Sequence, residues 1–236
     1  MYDRTIQGQP LLFGNTSALY ESDMVMFDHK SGSYWQQVNG KAIAGTLTGE
    51  QLTLLPAQTT TWALWLEQHP QTQVLSLDTG HQRNYTNDPF IGLGDKLNQG
   101  GDFIFPVSET ARDDRLKPGE VVLGVEVGNT QRAYAIGQIG DGVINDTLDE
   151  TPLVIFSLRD GPTGAAFLTQ LENQTLTFRF VEGQYQDEQT DSKWSLSGLA
   201  VSGKLAGTQL EPLPIRSTFW FSLVTSFPDI ELYSGN

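Results

Sequence analysis

Asp78, His81, Arg83, Tyr85 and Asp88 fall within eleven residues of one another. Two carboxylates, an imidazole, a guanidinium and a phenol at this density could bind an anion or a divalent metal, or exchange protons as acid and base. A hydrolase built on Asp78, His81 and Asp88 is one chemistry the set allows. The spacing matches no defined metal motif, because His81 follows Asp78 by three residues and Asp88 lies seven further on. The same residues also suit an ordered loop, in which Asp78 and Asp88 cap turns and Arg83 pairs with an acid.

Asn145 and Asp146 form a second candidate, since they stand at the end of a strand-like run. They equally suit an Asx turn closing a hairpin towards Pro152. Asp28-His29 and Asp187-Glu188 form a third set. Their carboxylates either converge across a pseudo-twofold axis or serve as hairpin-turn residues, and the local text favours turns. His69 reads as a helix C-terminal residue meeting the helix dipole. No Gly-x-Ser-x-Gly elbow, P-loop, post-strand Gly-x-Gly-x-x-Gly or His-Glu-x-x-His occurs. GLGDKLNQGG (92–101) is glycine-rich, but no helical pattern follows it, so it reads as a loop.

The elements that must position these residues are set by an internal repeat. From Gly40/Gly198 to Pro70/Pro228 the chain matches itself at a constant offset of 158, with twelve of 31 positions identical. Chance would give about two. The shared glycines suit turns and bulges between short strands. Leu47, Leu52 and Leu55 read as inward-facing, and Pro56 ends the ladder. Thr59–Thr61 can cap a helix whose apolar face carries Trp62, Trp65 and Leu66, and which Pro70 ends. Val74–Leu77 then reads as a returning strand. Trp62 and Trp220, with Trp35 and Trp194 upstream, are expected core anchors, because large aromatics dominate burial. Asp28 and Asp187 each precede a tryptophan by seven residues, in the hairpin-like texts DHKSGSYW and DEQTDSKW. Further back, DRTIQGQPLLF matches TQLENQTLTF, while GNTSALYESD (14–23) has no counterpart in the second copy. Such an insertion marks either a loop or a place where the two copies diverged in function.

Between the copies, residues 75–95 read as an exposed polar loop and 112–119 as a loop and turn. The alternating run from Val121 to Ile139 reads as a hairpin turning at Gly128-Asn129, followed by a short helix. Residues 142–146 and 152–156 read as two more strands. The expected fold is mainly β (α+β): a duplicated unit of short antiparallel strands plus one short helix per repeat, packed as a pseudo-twofold barrel-like body. One compact domain is expected, with repeat one at 1–78, a bridging segment at 79–156 and repeat two at 157–233.

The chain of 236 residues is long enough to bury a sizeable core. Its net charge of −14 argues against nucleic acid and anionic membrane as partners, and is compatible with cationic ligands. With no cysteine, this chain offers no disulfide, zinc–thiolate site or thiol nucleophile. No 18-residue apolar run is present that would span a membrane. Met1-Tyr2-Asp3-Arg4 opens directly in strand-like text, so native residues are expected before Met1.

The ordered texts MFDHKSGSYWQQVNGKAIAGTLTG, LSLDTGHQRNYTNDPF, GVEVGNTQRAYAIGQI and VINDTLDETPLVIF resemble the bacterial and archaeal family known as domain of unknown function 3179. The resemblance covers Met1 to Tyr233. It implies an exported or membrane-anchored, periplasmic or extracellular protein with no established reaction. Many members carry a Cys-Pro-x-Cys-like stretch, some with selenocysteine, just before the text matching Tyr2-Asp3-Arg4. Here that stretch would lie upstream of Met1, and the equivalent place in the second copy, 156–163, carries Ser157 and no thiol. Three functions follow as expectations. The first is a non-catalytic binding or scaffold domain of the cell envelope, contacting a small ligand or protein through the loop 78–95. The second is a redox or metal-dependent protein whose Cys/Sec stretch precedes Met1. The third is a hydrolase using Asp78, His81 and Asp88. No cofactor is specified beyond a divalent metal at the loop.

Overall fold

The computed structural model describes residues 1–236 apart from 88, 89, 160, 162, 173 and 236. Each copy of the repeat folds into a four-stranded antiparallel meander. The first runs Phe13–Tyr20, Asp23–Asp28, Tyr34–Gln36 and Ala42–Ala44. The second runs Phe178–Val181, Gln184–Asp187, Lys193–Trp194 and Ala200–Ser202. Between the paired ends Phe13 and Asp28 the first hairpin is six residues longer than the second between Phe178 and Asp187, and it reaches Tyr20 before turning at Glu21-Ser22. Both turn residues have positive φ, as a tight two-residue hairpin turn requires. The shorter second hairpin turns the same way at Glu182-Gly183.

The intervening residues supply two further sheets. Val121–Val127 and Thr130–Ala135 form a hairpin through Gly128-Asn129. Ile215–Phe219 adds antiparallel on one side and Glu231–Leu232 parallel on the other. Gly142–Leu148, Thr151–Leu158 and Thr163–Leu168 form a three-stranded antiparallel sheet. The edge strand Thr163–Leu168 receives the tail of both repeats. Gly164 N–H donates to the Thr59 carbonyl, while Ala166 and Leu168 bond Leu213 and Glu211. The sheets are open, and none closes into a barrel among the described residues, so the barrel-like expectation is corrected to several separate antiparallel sheets. The strands are too short, and broken by too many glycine turns, to run round a common axis.

Three further expectations differ. Residues 74–77 form no strand and stand exposed, because no strand edge lies alongside to take their backbone bonds. Leu93–Asn98 is a helix with Leu97 buried, where the glycines suggested a loop. Packing of Leu93 and Leu97 with Phe103, Phe219 and Phe221 overrides the local glycine signal. Trp62 is not a core anchor: the helix Trp62–Gln68 buries none of its residues. Trp35, Trp194 and Trp220 are buried. Trp35 packs with Ile6, Leu11, Ala42 and Leu52, and Trp194 with Phe156, Phe167, Phe178 and Tyr185.

Candidate functional site

The duplicated acids are turn residues. Asp28 is fully buried and accepts hydrogen bonds from Lys30 N (3.1 Å), Ser31 N (2.5 Å), Ser31 Oγ (2.6 Å) and Trp35 Nε1 (3.1 Å). Asp187 accepts from Thr190 N (2.6 Å), Thr190 Oγ1 (3.0 Å), Ser192 N (3.1 Å) and Trp194 Nε1 (2.9 Å). Burial pushes the Asp28 carboxyl up, but the donors from Ser31, Trp35 and Lys30 together hold it below the usual carboxylate range. Ser33 Oγ and Ser192 Oγ extend each network by accepting from Leu47 N and Leu205 N, both at 3.0 Å. Gly45 and Gly203 sit over these serines at φ 103° and 95°, and a Cβ there would come within 2.7 Å of serine atoms. The repeat therefore encodes a turn that seats its tryptophan, with each acid accepting four hydrogen bonds from within its own turn.

The Asp78 loop is exposed. Asp78 N–H bonds Ser76 Oγ at 3.0 Å, and Thr79 Oγ1 and Tyr85 Oη lie 2.6 Å apart. Among the described residues no side-chain hydrogen bond or ion pair joins Asp78, His81 and Arg83, and no three His, Asp or Glu side chains converge as a ligand set. Asp88 lies outside the described residues.

Asn145 and Asp146 are both engaged within the protein. Asn145 mimics a strand backbone: Nδ2 donates to the Phe178 carbonyl at 2.7 Å, and Oδ1 accepts the Phe178 N–H at 2.8 Å. It thereby ties Gly142–Leu148 to the outer edge of the second repeat sheet. Asp146 Oδ2 accepts from Arg132 Nη1 and Tyr134 Oη, each at 2.7 Å. Arg132 also forks onto Glu231 Oε2 (2.6 and 2.9 Å). Burial, then the bond to Asp146, raises the Tyr134 phenol far above its ordinary value, so it stays protonated as a donor.

A cavity of about 530 Å³ borders Asp146 with Arg132 and Glu231; two other concave regions do not centre on the candidate residues. The larger has a volume of about 710 Å³ and is bounded by Leu19, Met24, Leu97, Phe103, Phe105 and Phe221, with Asn15, Ser17 and Ser22 as polar groups. Among the described residues no Asp, Glu, Lys or Arg lines it. One wall is the lengthened hairpin, pinned in place by Ser22 Oγ donating to the Phe105 carbonyl (3.1 Å) and Ser108 N donating to Glu21 Oε2 (2.7 Å). The opposite wall is the helix Leu93–Asn98. Phe90 and Leu93, at the end of the candidate loop, also border it.

The smaller region surrounds Arg216, on Ile215–Phe219, where that strand meets residues of the first repeat. Tyr2 Oη donates to the Val38 carbonyl at 2.6 Å, and burial raises its phenol despite the adjacent Arg216 guanidinium. Nearby Asp23 accepts from Val38 N at 2.9 Å, and burial pushes its carboxyl up to about 6.

The reading from residue types missed Arg216, Asp23 and the apolar pocket. For the pocket a signal was present: the ten unmatched residues, 14–23, that now form its wall. For Arg216 the signal was Gln58 at the matching position of the first copy. Nothing in the local text marked Asp23. No helix among the described residues is long and apolar enough to cross a membrane. Compared with known proteins, residues 1–230 match the model of the family described as "Protein of unknown function (DUF3179)", and the chain belongs to that family. No curated protein and no solved structure matches it.

Proposed function

We propose that this member of the family is a non-catalytic binding module, whose ligand is an uncharged, largely apolar small molecule held in the pocket between the first hairpin and the helix Leu93–Asn98. One observation carries the reading. The insertion that distinguishes the first repeat from the second builds the wall of a 710 Å³ apolar pocket. That volume is within the range of small-molecule sites, which are mostly apolar with a few polar groups. Among the described residues the lining carries no charge, which disfavours ionic ligands, since an ion there would lose hydration without a partner. Ser17, Asn15 and Ser22 offer orientation. The loop 78–95 contributes through its end, where Phe90 and Leu93 reach the rim.

The net charge of −14 supports a partner other than nucleic acid. We place the module outside the cytoplasm, on the family resemblance; fractionation of cells carrying the native gene tests that location. The test of the function is titration with the uncharged dye N-phenyl-1-naphthylamine. Saturable enhancement that falls in Phe105→Ala supports the reading. Enhancement that does not saturate, or that Phe105→Ala leaves unchanged, sinks it.

A further inference from the structure

We propose that the helix Trp62–Gln68 and the residues after it are a docking surface for a partner protein, which covers them with an apolar β-hairpin rich in glycine and alanine. The helix Trp220–Ser226 stands at the matching place in the second repeat. There Trp220, Leu223 and Val224 are fully buried with Val122, Ala133 and Ala135 of the hairpin Val121–Ala135. At the offset of 158 those three helix positions are Trp62, Trp65 and Leu66. All three stay large and apolar, yet they are 50%, 38% and 37% exposed. Phe221, which packs elsewhere, against Leu97 and Ala111, is only Ala63 in the first copy. The chain after the helix repeats the pattern. Glu231–Leu232 pairs parallel with Thr130–Ala135, and the Tyr233 N–H donates to the Ala133 carbonyl at 2.9 Å. The matching Gln73, Val74 and Leu75 are exposed. Among the described residues no backbone–backbone hydrogen bond engages Val74 or Leu75. The helix face and the strand-like tail are thus open together, and an exposed apolar patch of this kind marks an interaction surface.

Charge, backbone and room choose the occupant. Residues 51–77 carry one charged side chain, Glu67, so recognition there is apolar. A lipid surface would cover the tryptophans but leave the Val74 and Leu75 backbone without hydrogen-bond partners. A strand supplies those partners by β-addition. A second copy of this chain has no such hairpin to spare. Its Val121–Ala135 is paired along both edges, by Ile215–Phe219 and Glu231–Leu232, and buried on both faces. The hairpin therefore comes from another protein, and its helix-facing side chains are small. Gly124 lies against Leu223, and a Cβ there would stand 3.0 Å from Leu223 Cδ1. The first repeat has the larger Trp65 at that position, so it needs at least as much room. Trp65 is already held. Its ring centre lies 4.1 Å from that of His69, and its Nε1 donates to Thr72 Oγ1 at 2.9 Å, so little side-chain freedom is lost on docking. The surface shares no residue with the apolar pocket, so the failure of either leaves the other standing.

The experiment is an NMR titration of the ¹⁵N-labelled full chain with a cyclised peptide of residues 120–136, a hairpin of the required kind. The indole resonances are assigned by their loss in Trp62→Phe and Trp65→Phe. The expected result is a saturable shift of both indoles and of the Val74 amide, with the Trp220 indole unmoved. Trp65→Ala and Leu66→Lys leave folding intact, because neither side chain is buried. Each should weaken the peptide by about tenfold or more. A peptide carrying Gly124→Val should lose affinity several-fold. No saturable shift, or equal binding of the Gly124→Val peptide, would overturn the proposal. Shifts with uncharged phosphatidylcholine vesicles but not with the peptide would make the face a lipid contact and overturn it. Indole shifts that follow protein concentration alone, with a dimer in sedimentation, would assign the face to a second copy and overturn it.

Discussion

Trp220 and Trp62 stand at one position of the duplicated unit, 158 residues apart, yet Trp220 is fully buried and Trp62 is 50% exposed. The difference lies in what each helix meets. Trp220 packs with Leu116, Val122, Ala133, Ala135 and Ile230, and the Arg115 guanidinium carbon lies 4.9 Å from the centre of its ring. The hairpin that supplies Val122 and Ala133 occurs once in the chain, so it covers one helix of the pair.

Truncating the two tryptophans should therefore have unequal effects. Trp220→Ala should cost about 3–5 kcal/mol, the range for deleting a buried aromatic. Trp62→Ala should cost less than about 1 kcal/mol, as surface changes do. Urea unfolding of the two variants checks this; equal losses would show that both helices are covered in solution.

The matched turn networks predict matched losses. Asp28→Ala strips the acceptor from a buried indole N–H and from the Ser31 backbone, and should cost about 2–3 kcal/mol or more. Asp187→Ala removes the same bonds from Trp194 and Thr190 and should cost a similar amount. The two carboxylates share no bonding partner, so the double variant should lose the sum within about 0.5 kcal/mol. A difference of several-fold between the single variants in denaturant melts would break the equivalence of the two turns.

Asp23 predicts a pH dependence. Burial raises its folded carboxyl from 3.8 to about 6. The folded state then binds the proton more tightly than the unfolded chain, so this group's contribution falls as pH rises from about 4 to 6 and is flat above. Asp23→Asn removes that loss. The variant should match the parent near pH 3.5 and exceed it at pH 7.5 by on the order of 2 kcal/mol. Thermal melts across this window check it, and a constant difference at both ends would refute the buried ionisation.

Asn145 clamps a sheet edge with both ends of its amide. Asn145→Ala leaves the Phe178 N–H and carbonyl without their partners and should cost about 1–3 kcal/mol. Hydrogen exchange at Phe178 should speed up more than exchange in the first repeat sheet. Uniform acceleration in both sheets would contradict a local clamp.

The apolar pocket predicts a separation of binding from folding. Leu19 is partly exposed on the lengthened hairpin and lines the pocket. Leu19→Lys should leave stability within about 0.5 kcal/mol, as at other surface sites. It should abolish dye binding by placing a charge in an uncharged pocket. Retained binding in a folded variant would move the ligand elsewhere.

Sequence alone determined what depends on residues near one another in the chain. The duplicated text carried the Asp28–Trp35 and Asp187–Trp194 turns, because acid, small hydroxyl residues and tryptophan lie within eight residues and close the network locally. It also carried the Gly128-Asn129 hairpin, the Thr61 cap with Pro70 beyond the helix, and the mainly β class. The candidate site was far less legible. A dense set such as Asp78, His81 and Arg83 states which chemistry is affordable, but not whether the backbone brings the groups together. Asn145 and Asp146 showed their polarity, yet their partners, Phe178, Arg132 and Tyr134, were fixed by sheet packing. The same holds for Leu93–Asn98, made a helix by its contacts, and for residues 74–77, which have no sheet edge beside them. Tertiary structure alone decided which member of the Trp62/Trp220 pair is covered, which side chains face the lengthened hairpin, and that Arg216 meets Tyr2 across the seam of the repeats. Burial and pairing between residues far apart in the chain depend on which surfaces meet, and a repeated sequence cannot say which of its copies finds a neighbour.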